Sequence, residues 1–228
     1  DPERHANRIM KQMQKDLRLK TEPRHIECFD NSNIQGTNPV AACVVFKDGK
    51  PSKKDYRHFN IKTVEGPDDF ASMEEVVHRR YKRLIDENEP LPQLIVIDGG
   101  KGQLSSAVKS LEILGLKGKI AILGIAKRLE EIYYPGDQFP LMLSKRSTTL
   151  QLLQRLRDEA HRFAITFHRQ KRDKVTGSEL EQIEGIGRDT ANKLLSEFRT
   201  IKGVLENQSG VEQLIGKAKA KLVFDYFK

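Results

Sequence analysis

Two aspartates directly follow apolar runs, in positions where a pair of carboxylates can do chemistry. Asp30 ends the run "HIECFD", and Asp98 ends the run "QLIVID". If the two runs are neighbouring strands, both side chains enter one small volume, where their charges repel unless a divalent cation neutralises them. Such oxygen ligands suit Mg²⁺ or Mn²⁺, which can orient a phosphate, activate water and stabilise a leaving oxygen. The pair therefore predicts a nuclease site.

Each of these carboxylates also has a purely structural interpretation. Asp30 can close an Asx turn over Ser32, and Asp98 can belong to a turn with the glycine that follows it. Asp69 is more typical of a helix N-terminus, where the helix dipole stabilises a negative charge, than of an acidic site. Two aspartates after two buried strands, taken together, favour the catalytic interpretation.

Basic side chains and a histidine are concentrated in residues 141–176, which carry nine Lys or Arg against three Asp or Glu, within a chain of net charge +8. This excess favours an anionic partner. His161 can ligate a metal or move a proton, and Arg157 and Arg162 can hold phosphates. A lone helical histidine is more often a satisfied boundary residue. Lys101, at the start of a predicted helix, can also meet a phosphate.

The order of elements predicts the architecture that positions these residues. Three strands joined by short links, in "HIECFD", "VAACVVFKDGK" and "DYRHFNIKTV", are typical of an antiparallel sheet. A helix over residues 69–87, marked by Pro67 and Asp68, then precedes a strand, a helix and another strand, which implies parallel pairing. Together they predict an α/β fold with a ribonuclease-H-like mixed sheet and flanking helices. In that order the first and fourth strands are neighbours.

Later segments predict an irregular hairpin and a long helix. The hairpin is centred on Pro135-Gly136, and Thr148 is the predicted cap of the helix, whose apolar face runs from Leu152 to Phe167.

Two segments near the C-terminus predict a small all-α tandem helix–hairpin–helix domain. In "LEQIEGIGRDTANKLLSEF", the glycines Gly185 and Gly187 flank a tight turn before Arg188. The second segment, "VEQLIGKAKAKLVFDYF", has a single glycine, and its candidate DNA-binding residues are Gly216, Lys217 and Lys219. Main-chain N–H groups at such hairpins bind DNA phosphates without reading bases. A plain helical turn with glycine caps is the alternative.

We therefore divide the chain into an exposed N-terminal helix and connector (1–24), the ribonuclease-H-like domain (25–170), a solvated linker (171–177) and the hairpin domain (178–228). No apolar run approaches the ~18 residues of a membrane-spanning helix. Cys28 and Cys43 lie in apolar runs without a metal-binding pattern, which favours a reducing compartment. We expect a soluble, cytoplasmic monomer.

Several motifs, taken in order, resemble one family. "IECFDNSNIQGTNPVAACVVFKDGK", "DDFASMEEVVHRRYKR", "LIVIDGGKGQLSSA", "RDEAHRFAITFHR" and "IEGIGRDTANKLL" closely resemble the C-terminal half of UvrC, the bacterial excision-repair nuclease. The resemblance implies an endonuclease that makes the 5′ incision in damaged double-stranded DNA handed over by UvrA and UvrB. It also implies an Asp-Asp-His catalytic set, similar to that of Argonaute, at Asp30, Asp98 and His161. Asp69 matches another aspartate implicated in the 5′ activity.

A different class of function remains open from the residues alone. The sheet can be a non-catalytic scaffold for DNA binding, in which case the chain binds DNA equally well with and without divalent metal and never nicks it.

Overall fold

The computed structural model describes residues 1–32, 40–64 and 68–228, with the side chains of all of these except residues 32 and 167–178. The predicted Asx turn over Ser32, the helix-start signal at Pro67 and the side chain of Phe167 lie outside this description. The described chain divides into two compact units, residues 1–167 and residues 168–228. No helix in the described ranges is long and apolar enough to cross a membrane.

The first unit is built on a mixed sheet, so the predicted fold class is confirmed. In the described part of the chain the sheet has eight strands in the order β3-β2-β1-β5-β6-β7-β8, and β4 pairs with β2. The strands are β1 (His25–Ser32), β2 (Val40–Lys47), β3 (Lys50–Pro51), β4 (Arg57–Asn60), β5 (Leu94–Asp98), β6 (Ala121–Ile125), β7 (Glu131–Tyr133) and β8 (Leu141–Met142).

Strand directions follow the predicted pattern. β1 is antiparallel to β2 and parallel to β5, and β5 is parallel to β6. The residues of β5 from Leu94 to Ile97 are all fully buried, as expected for a central parallel strand covered on both faces. β7 and β8 pair antiparallel around the predicted hairpin. The central position of β1, next to β5, brings their polar ends together.

Helices cover the sheet, and their bounds are α1 (Pro2–Asp16), α2 (Asp69–Asp86), α3 (Gly100–Ile113) and α4 (Thr148–Glu181). The side chain of Asp68 caps α2 by accepting a hydrogen bond from the main-chain N–H of Ala71. The N-terminal helix α1 was expected to be exposed, and this expectation was wrong for one face of the helix. Met10, Met13 and Leu17 are fully buried in the core of the first unit. Three apolar residues at helical spacing are enough to anchor such a helix.

The long helix differs from the prediction at both ends. Its first turn is capped by Ser147, whose Oγ accepts from the main-chain N–H of Leu150 at 3.2 Å, whereas Thr148 lies inside the helix. The helix also continues through residues 171–177, which were predicted as a solvated linker, and ends at Glu181. Arg, Lys and Gln are good helix formers, and one glycine costs only about 1 kcal/mol. Polarity alone therefore did not end the helix.

The second unit adds helices α5 (Arg188–Phe198), α6 (Ile201–Leu205), α7 (Gln208–Ile215) and α8 (Lys217–Tyr226). It has its own apolar core, formed by Leu180, Ile183, Ile186, Ala191, Leu194, Val204, Val211, Ala220 and Val223. Short turns join α4 to α5 and α7 to α8, at the two segments predicted as hairpins. Gly185 lies in the first turn with φ of 92°, a conformation that favours glycine.

Candidate active site

The two strand-end aspartates lie side by side. In the parallel β1–β5 register, Asp30 is the direct partner of Asp98. Residues that face each other in adjacent strands point to the same face of the sheet, and adjacent strands are only about 4.8 Å apart. The sheet therefore places both carboxylates in one small volume.

Both carboxylates are recessed, and this changes their protonation. The side chain of Asp30 is 9% exposed and that of Asp98 is 17% exposed. Burial, together with the nearby charge of Asp98, raises the pKa of Asp30 to about 6. Burial also raises the pKa of Asp98, despite the opposing positive charge of Arg157. Two ionised carboxylates are thus disfavoured here without a compensating cation.

Helix α4 presents two basic side chains to this pair, one turn apart. The Nε of Arg157 lies 3.6 Å from Oδ1 of Asp98, and the Nδ1 of His161 lies 3.4 Å from Oδ2 of Asp30. The fully buried Leu156 and Ala160 fix this face of the helix on the core. The structure therefore brings together four of the predicted site residues. The side chain of His161 is 66% exposed, so its ring is open to solvent while it approaches the recessed carboxylate.

Two residues that the sequence analysis missed hold α4 in place. The Nε2 of His58 lies 2.8 Å from the main-chain oxygen of Phe163, and the His58 ring stacks on the Phe163 ring at 3.7 Å. Tyr56 donates a hydrogen bond from its hydroxyl to Glu159 at 3.0 Å. These contacts flank His161 on the helix. The sequence carries one signal for these contacts. Tyr56 and His58 are two residues apart in the β4 segment, so their side chains lie on the same face.

Arg162 pairs with a carboxylate of its own helix. Its guanidinium donates two hydrogen bonds to Glu159, at 2.9 and 2.7 Å, within the same helix. Lys101 is also engaged: its ammonium donates to the main-chain oxygen of Gln138 at 2.9 Å and lies 4.8 Å from the centroid of the Tyr133 ring. These two predicted phosphate-binding side chains therefore already have protein partners.

Asp69 is joined to the site through its main chain. The side-chain amide of Asn31, the residue after Asp30, donates to the main-chain oxygen of Asp69 at 3.0 Å. The same amide lies 3.3 Å from Oε1 of Gln103 in α3. The ends of β1, α2 and α3 are thereby connected next to the carboxylates.

The predicted DNA-binding residues of the second unit lie at its helix junctions. Gly187 immediately precedes α5, which begins at Arg188, and Gly216 immediately precedes α8, which begins at Lys217. The Nζ of Lys219 lies 3.4 Å from Oγ1 of Thr190, so α8 contacts α5. Both junctions end at the exposed start of a helix, where main-chain N–H groups are available for a phosphate.

Asp30, Asp98 and His161 are the side chains here that could hold a metal ion. In residues 1–32, 40–64 and 68–228, no three Asp, Glu, His or Cys side chains form a ready-made metal-binding group. The set of Asp30, Asp98 and His161 is thus not closed around an ion. The carboxylate pair still fits Mg²⁺ or Mn²⁺, because such ions are usually held by one or two carboxylates, with water and phosphate oxygens completing the shell. The buried Oδ2 of Asp30, which accepts no hydrogen bond from the described residues, is an available ligand.

The matching family model and the curated relatives agree on one family. A model described as the UvrC RNase H endonuclease domain matches residues 14–165. UvrABC system protein C of Flavobacterium johnsoniae is 68% identical over 230 residues, and that of Porphyromonas gingivalis is 59% identical over 227 residues. These alignments cover 100% and 99% of this chain but 38% of each relative, so the chain spans little more than a third of their length.

Among solved structures, Endonuclease V of Ciona intestinalis in complex with inosine-containing DNA matches with a TM-score of 0.35 and 18% identity, over 70% of this chain and 69% of that one. The family model and the identity to the curated relatives are sufficient for the assignment. This chain belongs to the UvrC family of nucleotide excision repair endonucleases, and its first unit contains the family's RNase H endonuclease domain.

Proposed function

We propose that this chain is a divalent-metal-dependent DNA endonuclease that makes the 5′ incision beside a lesion in nucleotide excision repair. The observation that carries the proposal is the direct pairing of Asp30 with Asp98, which sets two recessed carboxylates side by side. Membership of an endonuclease family supplies the class of reaction. The chemistry at the carboxylate pair and the side of the cut are the proposed parts.

Asp30 and Asp98 would hold Mg²⁺ or Mn²⁺. When bound, such an ion polarises the scissile phosphate and lowers the pKa of a water molecule. Asp30 offers its buried Oδ2, while Asp98 is shared with the guanidinium of Arg157. Arg157 therefore limits the repulsion between the carboxylates and keeps Asp98 oriented.

His161 would act on a proton, since its position suits this role better than that of a third ligand. Its side chain is 66% exposed, and its Nδ1 is at 3.4 Å from Oδ2 of Asp30. A ring held beside a carboxylate, with one side open to solvent, can deliver a proton to a leaving oxygen or accept one from water.

The substrate would be double-stranded DNA that contains a lesion, held by its phosphates. The helix starts at Arg188 and Lys217 would bind the duplex backbone through main-chain N–H groups. The curated relatives are named as components of a UvrABC system, which supports UvrA and UvrB as partners of the full-length protein that contains this chain.

The proposal predicts that Asp30→Asn lowers nicking of supercoiled plasmid in Mn²⁺ by about a hundredfold or more, because one carboxylate of the metal pair is lost. Binding of the same DNA should persist, because the substitution removes a negative charge and so adds no repulsion against the negatively charged DNA. Asp86→Asn is the matched control: this carboxylate is 59% exposed at the end of α2 and should be dispensable. Gel assays of nicking and of DNA binding measure both properties.

An Asp30→Asn chain that nicks as fast as the parent would overturn the catalytic assignment. A parent chain that binds DNA with equal affinity in EDTA and in Mn²⁺, and never nicks it, would instead be a non-catalytic binding module. The side of the cut is read separately, from end-labelled lesion-containing duplex loaded with UvrA and UvrB and cut by the full-length protein. Loss of the cut on the 5′ side in Asp30→Asn is expected.

A further inference from the structure

A partly exposed aromatic side chain lies at the start of α2, near the edge of the sheet at which β1 and β5 end. Phe70 follows Asp69 and is 56% exposed. Its ring packs on Gly102 of α3, where an added Cβ atom would lie 2.4 and 2.5 Å from two ring carbons. Real Cβ contacts are essentially never that short, so with any other residue at position 102 the ring would have to move from this position.

Two observations relate the start of α2 and the Gly102 contact to the ends of β1 and β5. Gly102 is four residues beyond Asp98 in the chain. On the other side, the main-chain oxygen of Asp69 accepts a hydrogen bond from the side chain of Asn31, which directly follows Asp30. The start of α2 and its contact on α3 therefore lie at the same edge of the sheet as the two carboxylates, with the Asn31 side chain on the face of β1 opposite to that of Asp30.

An exposed phenylalanine held in this way has an aromatic surface open to a ligand. Other exposed apolar residues of these helices, Ile85 and Ile113, are aliphatic and lie at the opposite, C-terminal ends. The ligand that best suits an exposed ring beside a phosphodiester-cleaving site is a nucleobase, because every base has a flat face that stacks on aromatic side chains. A paired base in a duplex is already stacked on its neighbours, so the base that can use this surface is an unpaired one.

We propose that Phe70 stacks on an unpaired nucleobase of the strand being cut, close to the scissile phosphate. This inference rests on the proposed function, since it takes the carboxylate pair as the place where the phosphate sits. Asp30 and Asp98 are recessed, so a phosphate that reaches them brings its neighbouring nucleotide to the rim formed by the starts of α2 and α3. Phe70 thereby selects DNA that is locally unpaired at the incision site.

The test measures contact and affinity without requiring cleavage. In the Asp30→Asn chain, 5-iododeoxyuridine is placed in turn at each position of a short unpaired stretch within a duplex, and irradiation crosslinks it to an aromatic side chain stacked on it. Mass spectrometry should locate the crosslink at Phe70. The crosslink should persist in Phe70→Tyr and disappear in Phe70→Leu, which keeps apolar volume but removes the aromatic face.

Affinity supplies the second readout. Phe70→Leu should bind the partly unpaired duplex about fivefold or more weakly, as expected for the loss of one stacked base. The fully paired duplex of the same sequence should be bound with less than about a twofold change. Gly102→Ala should have the same effect while retaining Phe70, because the new methyl group displaces the ring from its seat. Ile113→Ala, at the other end of α3, is the control and should bind as the parent does.

Failure to crosslink at Phe70 in the Asp30→Asn chain, or equal loss of affinity for paired and unpaired DNA in Phe70→Leu, would overturn the inference. If Gly102→Ala does not fold, as judged by its thermal unfolding, Phe70→Leu remains decisive, since Phe70 is more than half exposed. Failure of the proposed function shows separately, in the plasmid nicking assay.

Discussion

At the scale of single residues, the site depends on two carboxylates whose charges oppose each other. Asp30 and Asp98 are direct neighbours across β1 and β5, and burial raises the pKa of each. Such a pair costs folding free energy unless a cation or a proton neutralises it. A protein is expected to keep such a destabilising pair of charges where the charges bind a ligand.

This cost gives a prediction for stability against pH. The pKa of Asp30 is raised from 3.8 to about 6 in the folded chain, so the folded state holds the proton more tightly than the unfolded state does. The free energy of unfolding therefore falls as pH rises from about 4 to about 6. In EDTA, Asp30→Asn should raise the free energy of unfolding by about 2 kcal/mol near pH 8 and leave it unchanged near pH 4.

Urea unfolding of both chains at the two pH values measures the difference. The exposed Asp86→Asn control should change stability by less than about 0.5 kcal/mol at either pH. The account would be contradicted if, at high pH and without divalent metal, the parent chain were more stable than Asp30→Asn. The ionised pair would then not destabilise the folded chain by charge repulsion.

The sequence predicted these residues unevenly, for identifiable physical reasons. Asp30 and Asp98 were visible as a pair, because each follows a buried apolar run and the order of elements makes those two runs neighbouring strands, although each aspartate alone can be a turn residue. His161 and Arg157 were visible from their place in a basic helix, although only the fold shows that they face the carboxylates. Ion pairs between neighbouring side chains of one helix could not be predicted. The bidentate pair of Arg162 with Glu159 depends on side-chain rotamers, which no pattern of residue types encodes.

At the scale of elements, β1 contributes both to the site and to its support. Glu27 lies three residues before Asp30 and is fully buried. Arg80 of α2 donates hydrogen bonds to both carboxylate oxygens of Glu27, at 3.0 and 2.9 Å, and Tyr81 donates a third at 3.0 Å. Burial opposes the ionisation of Glu27, but hydrogen bonds from His25 and Arg80 lower its pKa to about 2. This buried network joins α2, and hence Phe70, to the strand that carries Asp30.

We predict that Glu27→Gln lowers the free energy of unfolding by about 3 kcal/mol at neutral pH, because it leaves the buried guanidinium of Arg80 without its counter-charge. The pKa of Glu27 is lowered on folding, so its stabilising contribution is complete above about pH 4.5 and is lost as pH falls towards about 2. The difference between variant and parent should accordingly shrink in acid. Thermal or urea unfolding at both pH values gives the comparison.

The matched control is Glu87→Gln, since Glu87 pairs with Arg83 at the exposed end of the same helix. That substitution should cost less than about 0.5 kcal/mol, as is usual for exposed ion pairs. Equal losses from the two substitutions would mean that burial does not strengthen the Glu27 network.

Strand order and the main helices could be predicted, because alternation and helical periodicity report which faces are buried. The boundaries of α4 could not. The run "RQKRDKVTGS" was interpreted as a linker from its polarity, yet α4 continues through it. A run of polar residues indicates that a segment is exposed to solvent, but an exposed segment can still be helical. The buried charge network was also outside prediction, since Glu27 in a strand pattern is indistinguishable from an exposed residue until the second face is known to be covered.

At the scale of the whole molecule, the chain joins a unit that carries the carboxylate pair to a unit whose turns are predicted to bind DNA. The first unit has a continuous apolar core that includes Met10 of α1 and Ala160 of α4. The second has a separate core of its own. The sequence analysis placed the domain boundary at residues 171–177, from a change to a short, glycine-punctuated helical pattern, and the described chain divides between residues 167 and 168.

Two separate cores predict that the second unit can be removed without unfolding the first. A chain that ends at residue 174 should keep cooperative unfolding but bind duplex DNA about tenfold or more weakly, because the phosphate contacts at the starts of α5 and α8 are lost. Its affinity should also depend less steeply on salt, by roughly one unit of slope for each phosphate contact removed. Fluorescence anisotropy across a salt series measures both.

Lys202→Ala in the complete chain is the control for a change of surface charge, since Lys202 lies in α6 and outside both turns. It should leave affinity nearly unchanged. Unaltered DNA affinity after truncation would mean that the second unit serves a partner other than DNA.

The most direct measurement of the central claim is anomalous diffraction from crystals of this chain soaked in Mn²⁺, with the Asp30→Asn chain treated identically. The account predicts a peak within about 2.3 Å of oxygens from both Asp30 and Asp98 in the parent, and its absence in the variant. A Mn²⁺ peak elsewhere with none between these carboxylates, or an undiminished peak at the same place in Asp30→Asn, would contradict it.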